Sequence, residues 1–223
     1  MLPPGLPRPP SRDLLSEKLR GALARSAALT QWLADRRPSS IVKARDAILA
    51  GTSYAVCLDH REAILLLVWR DFRSSALALW RSVYEALMRG YWAETCASDQ
   101  AFEQLEATRE LPSFDTMIKA LDKQDAKSAY GKTKAKLWKP MSHFAHGGVM
   151  QLANWLGPEG VGARHSDLHV AQLLASVDIY ALLACAGANR LAHIDPIDES
   201  EFDAKLDELL AALAALTGCS AGF

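Results

Sequence analysis

Arg164-His165-Ser166-Asp167-Leu168-His169 sets an arginine, a polar residue and a histidine at the opening of a strongly apolar segment. Ser166 reads as the N-cap of a helix that runs from 167 to about 193 through Leu173, Leu174, Val177 and Tyr180. His169 then falls in the first turn, where the positive end of the helix dipole disfavours imidazolium. A neutral, accepting imidazole beside a permanently charged guanidinium suits proton transfer on an anionic substrate such as a phosphodiester. The plainer alternative is a solvated loop followed by a capped helix with one partly buried histidine.

A second group of reactive side chains is Ser142-His143-Phe144-Ala145-His146-Gly147-Gly148. On a helix, Ser142 and His146 share a face at i, i+4, and His143 neighbours His146 at i, i+3. An HxxH pair can supply two metal ligands, with Glu85 or Asp167 as a third, but the HExxH arrangement is absent. No metal or other cofactor is expected. A third row, Arg81, Glu85 and Arg89, repeats at i, i+4, i+8 beside the apolar stripe Ala76, Trp80, Val83, Tyr84, Leu87 and Tyr91. Glu85 can pair with either arginine, and His146 is the expected partner from another helix, donating to the Glu85 carboxylate. Arg164, His169 and His146 are the candidate catalytic residues; Arg81, Glu85, Ser142, His143 and Tyr180 are the candidate binding residues.

The bulk composition sets limits. With 223 residues, 50% hydrophobic, the chain can bury one sizeable core. A formal net charge of -1 gives no global basic field for nucleic acid. RNA would need a local cluster, such as Lys127, Lys132, Lys134, Lys136 and Lys139, or the arginines Arg70, Arg73, Arg81 and Arg89. A charge run is ordinarily a solvated face. Cys57, Cys96, Cys185 and Cys219 are widely spaced, which points to reduced thiols in a cytoplasmic protein rather than a zinc site. The proline-rich start is not a signal peptide, and the apolar runs around 181–188 and 209–216 are too short to cross a bilayer, so no membrane partner is expected. There is no GxxxxGK[ST], strand-bound GxGxxG or GxSxG.

The elements that must hold these residues are helices. Residues 1–12 contain five prolines and read as an extended arm. Helical periodicity then predicts helices over about 14–37, 40–69 (with Gly51 a weak point), 73–95, 100–108, 113–121, 126–136, 140–146, 167–193 and 199–217. A Gly/Pro loop fills 147–162, and 218–223 is a tail. The expected fold is an all-α, single-domain helical bundle over 13–217.

These features resemble the HEPN superfamily of small all-α domains. Its nuclease members carry an Arg, a polar residue, three further residues and a His, as in Arg164 to His169. The middle of the chain, about 60–195, is also similar to HEPN-like bacterial families that have an Arg-x-x-x-Glu helix (Arg81 to Glu85) and a later Ser-x-x-x-His (Ser142 to His146). The first resemblance implies a metal-independent endoribonuclease of toxin-antitoxin or phage-defence type, in which His169 is the acid or base and Arg164 stabilises the transition state. It also implies a homodimer whose paired motifs line a cleft. The second implies the fold without an activity, a non-catalytic HEPN-like module that binds a small ligand or a cognate partner protein, with His146 as the focal histidine.

Overall fold

The computed structural model describes residues 15–38, 45–108, 110–125, 130–157, 160–161, 165–192 and 198–218. The expected arm at 1–12, residues 219–223 of the expected tail, Arg164 and Lys127 lie outside the described residues. Local chemistry starts and stops the helices. Ser16 caps α1 (Glu17–Ala34) by accepting from Leu19 N. α2 (Arg45–Trp69) passes through Gly51 without a break. The turn after it puts Asp71 at φ 64°, a left-handed conformation that aspartate tolerates, and Arg73 Nε donates to the Asp71 carboxylate at 2.6 Å. α3 (Arg73–Thr95) follows, then α4 (Asp99–Thr108) and α5 (Phe114–Gln124), the last capped by Ser113.

α6 (Tyr130–Ala145) corrects one expectation. Pro140 lies inside one continuous helix rather than opening a second. Proline removes one backbone donor, whereas breaking there would split the inward face formed by half-buried Leu137 and buried Met141 and Phe144. The helix stops at Gly147, whose φ of 63° suits glycine. The expected Gly/Pro loop instead carries the short α7 (Val149–Ala153) and a two-residue antiparallel ladder, β1 (Leu156–Gly157) with β2 (Gly160–Val161). α8 (Asp167–Ala192) and α9 (Glu199–Thr217) complete the order, α9 closing on Gly218. The architecture is all-α, as the periodicity predicts.

α8 sits at the centre, packed by α1, α2, α3 and α9, while α5 and α6 cover the remaining flank of α3. With 26 residues it is long and apolar enough to cross a membrane, contrary to the expectation from the shorter runs within it, yet 72% of its most apolar window is buried inside the bundle. Two glycines set the closest approach. The ring of buried Tyr54 on α2 lies between Gly90 of α3 and Gly187 of α8, where an added Cβ would sit 2.3 and 2.5 Å from ring carbons. Inside the same core, Arg61 is fully buried. Its Nε and Nη2 donate to Asp178 Oδ1 at 2.9 and 2.7 Å, and its Nη2 donates to Ser26 Oγ at 2.9 Å, tying α2 to α8 and α1. Cys57, Cys96 and Cys185 are free thiols.

Candidate functional site

α3 and α6 run antiparallel: Tyr91 meets Tyr130 at one end, and Arg81 meets Ser142 and His146 at the other. This brings the Arg-x-x-x-Glu and Ser-x-x-x-His segments together. Arg81 Nη1 donates to Ser142 Oγ at 3.2 Å and lies 2.8 Å from His146 Nε2. A guanidinium has no acceptor, so Nε2 must accept, and the imidazole carries its proton on Nδ1 in this arrangement. Arg81 Nε donates to Glu85 Oε1 at 2.7 Å, and Arg89 Nη2 donates to Oε2 at 2.8 Å.

The expected bond from His146 to Glu85 is therefore absent; His146 is held by Arg81. Both Glu85 oxygens are engaged by arginines one turn before and after on the same helix, a contact that needs no other helix. The Arg81 fork has N–H groups left over to reach α6. The side chain of Glu85 is only 14% exposed, so its two partners compensate a largely desolvated charge.

Trp138 supplies the floor that sequence reasoning missed. The Arg81 guanidinium carbon lies 4.1 Å from the centre of the indole, which stacks on Phe114 at 5.0 Å and 14°. The aromatic line continues through Tyr84 to Tyr180, with ring centroids 5.9 and 5.6 Å apart. Tyr180 thus lies in the core behind the site, where burial first, then Tyr84 and Cys57, raise its phenol pKa. The spacing of Trp138 four residues before Ser142 was the available signal.

Trp138, Lys139, Ser142, His143, His146 and Gly148 line a shallow recess of about 320 Å³. Gly148 is needed there: a Cβ would sit 2.6 Å from His143 Nδ1. The polar groups of this lining are a lysine ammonium, a serine hydroxyl and two imidazoles, with the Arg81 guanidinium beside them. That set favours an anion. A second recess, of about 270 Å³, is lined by Leu23, Ala27, Glu62, Leu65, Leu66 and Trp69, and both recesses expose mostly apolar surface.

The motif at the start of α8 lies at the same end of the bundle. Ser166 caps the helix, accepting from His169 N at 3.2 Å, and the His169 side chain is exposed. Its neighbour His165 is the buried one, 4% exposed. Trp155 Nε1 donates to Ser74 Oγ at 2.9 Å, leaving the Ser74 hydroxyl free to donate to His165 Nε2 at 2.7 Å. Burial, then the Arg73 and His169 charges, hold the His165 pKa below its usual value. Arg73 Nη1 donates to His165 O at 2.8 Å and to Asp167 Oδ1 at 2.6 Å. The His165 ring lies 6.0 Å from that of Phe144, which links this cluster to α6. Among the described residues, no three or more His, Cys, Asp or Glu side chains converge on a metal position.

An all-α bundle with a shallow recess along the end of its sixth helix, beside the Arg81 guanidinium of the third, is the class that fold and geometry define. Residues 54–204 match the model of a family of unknown function, DUF6988, and the chain belongs to that family. The matched span contains every residue of the recess. No curated protein and no solved structure matches the chain.

Proposed function

We propose that the protein is a HEPN-like binding module whose Arg81–Ser142–His146 recess takes a small phosphate-bearing ligand. The observation that carries this reading is Arg81 Nη1, held between Ser142 and His146 at the edge of a recess whose other polar groups are Lys139 and His143. Glu85 anchors the guanidinium from behind, and Trp138 fixes its plane. A recess of about 320 Å³ is at the small end of ligand sites. Calorimetric titration with nucleoside monophosphates and inorganic phosphate tests this. Arg81→Gln and His146→Ala should each weaken binding by about tenfold or more, the size of one charge-assisted contact. Binding that is unchanged in both variants contradicts the reading.

A second reading, a metal-independent endoribonuclease, is favoured by the exposed first-turn His169 at the same end of the bundle as Arg81 and His146. In it a histidine removes the ribose 2′-hydroxyl proton and an arginine stabilises the developing phosphorane charge. RNA cleavage in EDTA by the wild-type chain, lost in His146→Ala or His169→Ala with helicity intact, supports this reading; no cleavage leaves the binding module standing.

A further inference from the structure

Ten large apolar side chains are exposed among the described residues, and eight of them gather at one end of the bundle. Leu66, Trp69 and Phe72 belong to the end of α2 and the turn after it. Val149, Leu152, Trp155, Leu156 and Val161 belong to α7 and the segment of the two-residue ladder. Leu156 and Val161 are paired across that ladder, 66% and 80% exposed. Ile48 and Val56, elsewhere on α2, are the two that lie apart.

Side-chain contacts hold these segments at one place. Trp155 Nε1 donates to Ser74 Oγ at the start of α3, just after Phe72, and Ser74 in turn meets His165 just before α8. The His165 ring lies 6.0 Å from that of Phe144, near the end of α6. Asp167 Oδ2 accepts from Ser16 N at 2.6 Å, which adds the start of α1. The Arg81 recess opens at this same end: Gly148 lines it, and Val149 and Leu152 follow directly in α7. The acids here are mostly neutralised. Asp71 and Asp167 are held by Arg73, and Glu62 by Arg61, which leaves Glu17 without an ion pair among the described residues. Against it stand the exposed Lys139 and the imidazoles of His143, His146 and His169.

We infer that this end of the bundle docks on an anionic phospholipid bilayer. Apolar side chains gathered on this scale mark a surface that something covers. Two of the eight are indoles, which favour the headgroup level of a bilayer, where phosphates carry the negative charge. The placement of a headgroup rests on the reading of the recess as a phosphate site. Its phosphate meets Arg81, Ser142 and Lys139, while Leu152, Leu156 and Val161 enter the boundary between headgroups and acyl chains. The contact is peripheral, since α8 stays packed inside the bundle, but it departs from the expectation of no membrane partner.

Flotation of the full chain with vesicles of phosphatidylcholine, with and without phosphatidylglycerol, tests this. The wild type should float with the vesicles that contain phosphatidylglycerol, and molar salt should weaken that binding. Leu152→Asp with Val161→Asp should cut it by at least about tenfold, since each change puts a carboxylate where apolar contact is made. Ile48→Asp, about 27 Å along α2 from Leu66, should leave it unchanged. Helicity retained in every variant separates lost docking from lost folding. Neither Leu152 nor Val161 lines the recess, so calorimetry should show the double variant binding inorganic phosphate like the wild type. Vesicle binding without phosphate binding removes the headgroup site and upholds the docking end. Phosphate binding without vesicle binding overturns the docking end and leaves the recess. Equal flotation with phosphatidylcholine alone contradicts an anionic surface, and a double variant that floats like the wild type overturns the proposal. So does a double variant whose one loss is a self-association seen by sedimentation, which assigns this end to a protein contact.

Discussion

Replacing Asp178 with alanine removes the acceptor on which the buried core network converges. Asp178 Oδ1 takes hydrogen bonds from Arg61 Nε, Arg61 Nη2 and Ser26 Oγ, the last at 2.8 Å. The two charged side chains are 0% and 3% exposed, so water does not replace what is lost. Breaking such a pair by removing one partner costs about 3–5 kcal/mol, mostly the penalty of a buried unpaired charge. Here Arg61 keeps one charged partner, Glu62 Oε1 at 2.9 Å, whose side chain is 43% exposed, and the neutral oxygens of Ser26 and Thr30. That partial compensation places Asp178→Ala near about 3 kcal/mol, or roughly 10 °C in Tm for a chain of this size. Urea unfolding followed by circular dichroism measures it. Arg61→Met with Asp178→Leu should recover most of the loss, because an apolar pair of similar volume carries no desolvation cost. A loss below about 1 kcal/mol for Asp178→Ala, or a double variant worse than the single one, would refute the claim that this pair is dry and mutually dependent.

Gly187→Ala should destabilise the bundle by about 1–3 kcal/mol in thermal unfolding, because its Cβ meets the Tyr54 ring at 2.5 Å and Gly90 backs the other face; an unchanged Tm would mean that the ring can move aside. Stability should fall as pH drops below about 6.5, since the unfolded chain protonates His165 first while the folded chain resists. Asp167 extends the loss at lower pH. Burial opposes its ionisation, but Ser16 N–H and Arg73 together hold its carboxyl below the usual range, so its contribution fades as pH falls through the folded value. Tm measured against pH should show a shallower decline just below 6.5 in His165→Gln; a wild-type Tm higher at pH 5.5 than at 7.5 contradicts the sign.

The helices were legible because each long one buries a continuous apolar stripe, and α9 begins at the Asp198 cap and ends on the left-handed Gly218. Pro140 misled because its cost is local, whereas burial of Met141 and Phe144 extends across the break. Half of the site was legible for a similar reason. Spacing on one helix, Arg81 with Glu85 or Ser142 with His146, is fixed by the 3.6-residue repeat. Which residue of one row meets which residue of the other is fixed by the register of α3 against α6, which no one-dimensional pattern carries; hence His146 fell to Arg81 and not to Glu85. Arg61 and Asp178 stayed hidden because a charge on a long helix ordinarily faces water. Only three packed helices reveal that these two face each other.

Imidazole nitrogen NMR of the wild-type chain during titration with a nucleoside monophosphate tests the central claim most directly, because it watches the proposed ligand contacts one histidine at a time. His143 and His146 should shift together and saturate, while His60, on α2, stays still. Shifts at His169 with none at His146, or a drift shared by all histidines without saturation, would contradict a ligand site built on Arg81, Ser142 and His146.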